Sequence, residues 1–171
     1  MSNFPKLIPA FTANIAIDPP VAVGAVSRGA PLVVVPFLTQ HCYLRSEPDY
    51  PIKVDAVFVH GSDFSPQIRQ DPVGGHVRLE VNSILSDKSG AFISYKYSGI
   101  IKVTPEIGAV LAGDPLARTT SFGDVFTHVL FETGSNELRG LEQKVYVASG
   151  RFVLEPGKPV VVEYKISEVS A

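Results

Sequence analysis

Cysteine is almost missing from this chain: Cys42 is the only one, so no internal disulfide can staple the fold. Basic residues do not dominate either. Lys and Arg number 15 against 17 Asp and Glu, the formal net charge is −2, and no basic run occurs, so there is no electrostatic footprint for nucleic acid or an anionic membrane. No apolar run approaches the roughly 20 residues that a membrane-crossing helix needs. The first residues, MSNFPKLIPAF, lack the basic region and long apolar stretch of a secretory leader. These absences lead to the expectation of a cytoplasmic protein that binds neither nucleic acid nor membrane. The Cys-x-x-Cys pair, His-Glu-x-x-His, a Gly-rich phosphate loop and a Gly-x-Ser-x-Gly elbow are absent too. The four histidines, His41, His60, His76 and His128, are scattered, and Cys42 lies in a polar stretch without a partner motif. No metal, catalytic thiol or cofactor is therefore expected.

What the chain does contain is alternation. At 171 residues, 45% of them hydrophobic, it can bury a substantial core as one domain over residues 1–171, without internal repeat or domain boundary. Phe11, Ala13, Ile15 and Ile17 alternate within Phe4–Ile17, which predicts a first strand stopped by Asp18-Pro19-Pro20. Gly24 and Gly29 flank a short turn, and Pro31–Pro36 predicts a brief apolar strand with prolines at its ends, where a hydrogen-bonded ladder tolerates them. Thr39–Lys53 is polar, holds two prolines and reads as a lid or mouth loop. Val54–Val59 and Val160–Ile166 predict further strands. Helix signals are confined to one place: Thr104 caps, Pro105 suits the first turn, Glu106 complements the dipole and Gly113 stops a helix over Pro105–Ala112.

Val77–Leu85 and Ala91–Val103 read as a hairpin joined by Ser86–Gly90. With Leu85 opposite Ala91, Val81 faces Tyr95, Leu79 faces Tyr97 and Glu80 faces Lys96. Leu79, Val81, Leu85, Ile93, Tyr95 and Tyr97 then share one face, and Arg78, Glu80, Asn82, Ser94, Lys96 and Ser98 the other. In one arrangement the polar set meets solvent. In the other, Arg78, Asn82 and Lys96 face a ligand inside a barrel, and a second copy covers the apolar set to give a homo-oligomer.

Carboxylates set among apolar residues are densest in Phe122–Phe152. Phe122–Phe131 predicts a strand ending at Glu132-Thr133-Gly134-Ser135, and Lys144–Val147 a strand stopping at Ser149-Gly150. Glu132 and Glu142 thus lie at neighbouring strand ends, where a barrel opens. The Phe131–Gly134 motif, the Leu141-Glu142 pair and the following VYVASGRF resemble the family catalogued as domain of unknown function 3237, over about residues 5–168. So do Val23-Gly24 to Gly29, Gly61-Ser62-Asp63-Phe64 and the Asp87–Ala91 turn. The resemblance implies an all-β fold, a single closed antiparallel β-barrel of lipocalin-like shape with about 8–10 strands and one short helix. Many members carry Asn where this chain has Glu142, which adds an ionisable group. The Leu-Glu pair and GKPVVVEYK, residues 157–165, look like the fungal branch, which includes proteins associated with specialised metabolism.

Acid/base work by carboxylates is the chemistry that remains. A carboxylate at an apolar mouth loses hydration, which favours its protonated form and lets it act as a general acid. Glu132 follows Val129-Leu130-Phe131 and Glu142 follows Leu141, so both are candidate catalytic acids. Asp63, in the family's Gly-x-Asp-aromatic element, and His128, two steps before Glu132 on the same strand parity, are candidate partners. The alternative for each carboxylate is a turn-stabilising role. Arg78, Asn82, Tyr95, Lys96 and Tyr97 are the candidate substrate contacts. The resemblance implies cofactor-independent ring closure or isomerisation of an apolar phenolic or polyketide-type metabolite, such as internal addition of a hydroxyl to an alkene. The same barrel without chemistry would be a carrier for a small apolar or aromatic metabolite.

Overall fold

Runs of alternating apolar and polar residues become strands throughout the computed structural model, which describes residues 3–27, 32–63 and 75–171. Ten strands are present among the described residues: β1 (Lys6–Ala16), β2 (Val21–Gly24), β3 (Leu32–Pro36), β4 (Tyr43–Ser46), β5 (Asp55–Asp63), β6 (His76–Asp87), β7 (Phe92–Lys102), β8 (Val125–Thr133), β9 (Tyr146–Val153) and β10 (Val161–Ser170). In the order β5-β4-β1-β10-β9-β8-β7-β6, with β6 pairing back onto β5, eight of them close an antiparallel barrel. β3 runs along the C-terminal end of β5 and carries β2 as a hairpin. Pro9 is tolerated inside β1 because the register slips there, Pro9 pairing with Ser167 and Phe11 with Ile166, so the strand bulges at Ala10. Phe4 and Ile17 lie just outside β1, and Gly29 and Phe64 lie outside the described residues.

Strict antiparallel pairing fixes which ends meet. β1, β5, β7 and β9 finish at one mouth, the upper one, where β6, β8 and β10 begin. At the opposite, lower end the barrel is stopped. The Tyr50 hydroxyl donates to Glu168 Oε2 at 2.6 Å and lies 2.9 Å from the Tyr146 hydroxyl, while Lys144 Nζ donates to Glu168 Oε1 at 2.7 Å. Aromatic rings stack above this network: Phe11 sits 5.0 Å from Tyr50 and 5.5 Å from Phe131, and Phe131 lies 5.3 Å from Tyr95. Burying such rings contributes on the order of 1.5–3 kcal/mol each.

The lid expectation for Thr39–Lys53 is corrected here. Thr39–His41 is one 3-10 turn, Tyr43–Ser46 is β4, and Tyr50 is buried in the lower stop. Only Leu44 of β4 is buried, so four residues gave too short a stretch to reveal alternation.

The central hairpin is also corrected. Leu85 pairs with Ile93, Val81 with Tyr97 and Asn82 with Lys96, two residues away from the expected register. The shift follows from the turn: β6 continues to Asp87, whose N–H bonds to the Ala91 carbonyl at 2.8 Å and whose carboxylate accepts the N–H of Ser89 and of Asp55. An even shift leaves the faces unchanged. Val81, Leu85, Ile93, Tyr95 and Tyr97 point into the barrel, so that set is not a surface for a second copy, and Arg78, Asn82 and Lys96 are on the outer wall. The helix α1 (Pro105–Leu111) forms where expected, with Thr104 Oγ1 accepting the Ile107 N–H at 3.3 Å and Gly113 at φ +69° ending it.

Candidate functional site

A cavity of about 450 Å³ occupies the upper half of the barrel, within the usual range for small-molecule pockets. Its walls are apolar, formed by residues such as Val33, Val35, Val77, Ile101, Leu111 and Val160. Its floor is set by strand register. Ile15, Val81, Tyr97 and Tyr164 line it, whereas the next inward residues, Ala13, Ser83, Tyr95 and Ile166, do not.

Asp63 reaches this floor because of a bulge. Ala56 and Phe58 face inward on β5, which by period two would turn His60 inward and Asp63 outward. Phe58 pairs with Leu85 but His60 with Ile84, so Val59 is extra, the parity flips, and Gly61 and Asp63 face the interior. Asp63 is 8% exposed, lies level with Val81 and accepts the Glu80 N–H at 3.3 Å. At Gly61 a Cβ would fall 2.5 Å from the Phe37 ring, so only glycine lets Phe37 cross β5 and wall the cavity.

Tyr164 owes its seat to another glycine. It pairs with Gly150, where a Cβ would lie 2.6 Å from Tyr164 Cε1. The ring therefore lies flat against β9 and meets Tyr97 edge-on at 5.1 Å. The two phenols are close enough to influence each other, and the Asp63 carboxylate is close enough to act on both. Burial, reinforced by the Asp63 charge, pushes both phenols above their ordinary value of 10. Both keep their protons across the physiological range and serve as hydrogen-bond donors, while Asp63 is the acceptor. Asp18 and Lys158 sit at the rim, Lys158 paired with Glu155.

Most of the residues singled out from the sequence lie elsewhere. Glu132 is on the outer wall, 2.7 Å from Lys96 Nζ, whose hydrogen bond and charge hold its carboxyl below the usual 4.5. Glu142 is exposed and accepts the Thr133 N–H at 2.7 Å, the turn-stabilising alternative. His128 points outward opposite Ser98. Neither glutamate is desolvated, and both sit at the stopped end. The physical reason is strand direction: three reversals separate the end of β5 from the end of β8, which puts Asp63 and Glu132 at opposite mouths. Arg78, Asn82 and Lys96 do not touch the cavity. Asp63 and Tyr97 do come together on its floor. Tyr95 lies one layer deeper, and its hydroxyl and that of Ser83 have no hydrogen-bond partner among the described residues. No three His, Cys, Asp or Glu side chains converge as a metal site among the described residues.

The family model described as protein of unknown function (DUF3237) matches residues 5–169. The chain belongs to the DUF3237 family. Among curated proteins none matches it. Solved structures similar to this DUF3237 barrel include a conserved protein of unknown function from Rhodopseudomonas palustris, at TM-score 0.73 and 19% identity over 99% of both chains. A β-barrel-like protein from Acinetobacter baumannii matches at TM-score 0.69 and 17% identity, again over 99% of both chains. A protein of unknown function from Clostridium acetobutylicum matches at 0.66 and 18%, over 98% of this chain and 99% of that one. At such identities the likeness establishes the fold. Among the described residues of the DUF3237 chain, no helix is long and apolar enough to cross a membrane.

Sequence reasoning missed Tyr164 in this DUF3237 chain. Its signal was present: Val162, Tyr164 and Ile166 alternate with Glu163 and Lys165, which places the tyrosine on the inner face.

Proposed function

We propose that the cavity binds an apolar phenolic or polyketide-type metabolite and promotes its ring closure or isomerisation without a cofactor, with Asp63, Tyr97 and Tyr164 in the roles first sought in Glu132, Glu142 and His128. The observation that carries this reading is a polar floor beneath apolar walls: one carboxylate and two protonated phenols converge at the base of an otherwise apolar chamber.

The chemistry such a floor supports is internal addition of a hydroxyl to an alkene conjugated with a carbonyl. The Asp63 carboxylate takes the proton of the substrate hydroxyl as its oxygen bonds to the alkene carbon. The electron pair moves onto the carbonyl oxygen, where the tyrosine hydroxyls stabilise the developing enolate by hydrogen bonds in a water-poor site. Protonated Asp63 then returns the proton to the neighbouring carbon, so the product is an isomer of the substrate and the carboxylate is regenerated. Isomerisation of a conjugated ketone uses the same groups, with a C–H proton in place of the O–H one. Holding the two reacting ends together contributes up to about 7–11 kcal/mol to lowering the barrier.

The test is incubation with metabolite extract from a source strain lacking the gene, followed by chromatography with mass detection. A new peak of unchanged mass is expected, lost with Asp63→Asn, slowed with Tyr164→Phe and retained with Glu132→Gln and Glu142→Gln. Enrichment of one compound without conversion would instead make the protein a carrier, and loss of turnover in the glutamate variants alone would move the chemistry away from the cavity.

A further inference from the structure

Period two turns every second residue of a closed barrel out to water, where polar side chains are expected. On β8 that expectation fails: Phe126 and Leu130 point outward beside His128 and Glu132. Register gathers more apolar side chains around them. Ile100 of β7 pairs with Phe126, and Val147 of β9 pairs with His128. Val145 precedes Tyr146, the partner of Val129, which sets it beside Leu130. Phe126, Leu130, Ile100 and Val145 are each between 42% and 65% exposed. Together the five residues expose apolar surface on the order of 400 Å², the size at which a patch on one copy marks an interaction site.

The area and the charges at its border point to one occupant. A standard interface takes about 800 Å² from each partner, and between identical copies about 65% of it is apolar. The patch meets most of that apolar share, and Ser98 and His128 add to the polar share. Lys96 lies opposite Leu130, with its Nζ 2.7 Å from Glu132 Oε2. A cation beside an anion is self-complementary, because a two-fold axis turns the pair end for end and sets each copy's lysine toward the other's glutamate. The formal net charge of −2 and the lack of a basic run disfavour nucleic acid or an anionic lipid surface in its place. We infer that this wall of β7, β8 and β9 is the interface of a homodimer, closed by a two-fold axis beside Leu130. The contact is on the outside of the barrel and holds independently of what the cavity binds.

Sedimentation velocity of the full-length protein across a concentration series tests it. The wild type is expected as a dimer of the 171-residue chain. Leu130→Glu and Phe126→Glu are each expected to weaken the dimer at least about tenfold, since a two-fold contact carries every substitution twice. Both side chains are exposed, so circular dichroism and melting temperature should match the wild type and separate lost association from lost folding. Val57→Glu, exposed on β5 away from the patch, is the control and should stay dimeric. A monomeric wild type, a dimer untouched by either patch variant, or a Val57→Glu protein that dissociates equally overturns the inference. A monomer that floats with phosphatidylcholine vesicles, and no longer does so with Phe126→Glu, also overturns it and gives the face to a lipid surface.

Discussion

Gly150→Ala isolates the claim that the functional floor depends on a missing side chain. Gly150 is not among the residues held at positive φ, so alanine is acceptable to the backbone there. Where nothing obstructs it, such a change stabilises a protein by about 0.4–1 kcal/mol through the unfolded chain. Here the new methyl would lie 2.6 Å from Tyr164 Cε1, 2.9 Å from Cδ1 and 3.0 Å from Val125 Cγ1. Those are ring atoms of a buried side chain and a buried valine methyl, not the loose end of a long chain, so something must shift. Overpacking of this kind costs about 1–3 kcal/mol. The net expectation is destabilisation by about 1–2 kcal/mol, or a fall in Tm of roughly 2–8 °C for a domain of this size. Gly134→Ala is the control, because nothing lies within 4 Å of its Cβ position, and it should leave Tm unchanged or slightly raised. Calorimetric melting measures both, and titration with 2-naphthol measures whether the displaced Tyr164 weakens binding. A Gly150→Ala protein as stable as the control, with unaltered naphthol affinity, would refute the argument.

Three further outcomes are expected. Tyr95→Phe removes a buried hydroxyl without a partner among the described residues, so urea unfolding should show unchanged stability or a gain of up to about 1 kcal/mol, and a clear loss would mean that the hydroxyl is bonded in solution. Glu168 is held below the ordinary 4.5 by its hydrogen bonds from Lys144 and then Tyr50, so its stabilisation is full above the unfolded value and lost as pH falls through the folded one. Acid titration of stability below pH 4.5 should accordingly be shallower in Glu168→Gln, and an unchanged slope would remove Glu168 from the lower stop. Cys42 is buried, and desolvation pushes its thiol up to about 11, so a thiol reagent at pH 8 should react slowly with the native protein and quickly in denaturant, equal rates contradicting that environment.

Alternation carried most of the architecture. The long strands and the sidedness of the β6–β7 hairpin were legible because period two survives an error of two residues in register, and α1 because Thr104, Pro105 and Gly113 each act locally. β2 and β4, four residues each, were too short for periodicity to emerge. The site was legible in part. Asp63 and Tyr97 were named, but the bulge at Val59 that turns Asp63 inward depends on pairing with β6 and leaves no mark in the chain itself. Glu132 lies near a strand end as expected, but Glu142 lies in the turn before β9, and the barrel does not open where they sit. Which mouth required counting reversals between β5 and β8, and that count shows them on the stopped side.

The stop made by Tyr50, Tyr146, Glu168 and Lys144 also governs traffic. With that end filled, the chamber above is a cul-de-sac among the described residues: whatever goes in must back out by the upper mouth before the next molecule can follow. A reaction housed there has no room for a queue of two partners, which suits a rearrangement of one molecule within itself and disfavours joining two. Under the proposed reaction, product and substrate contend for that passage, so accumulating product should slow turnover by occupying the doorway, as plain competition that added substrate relieves.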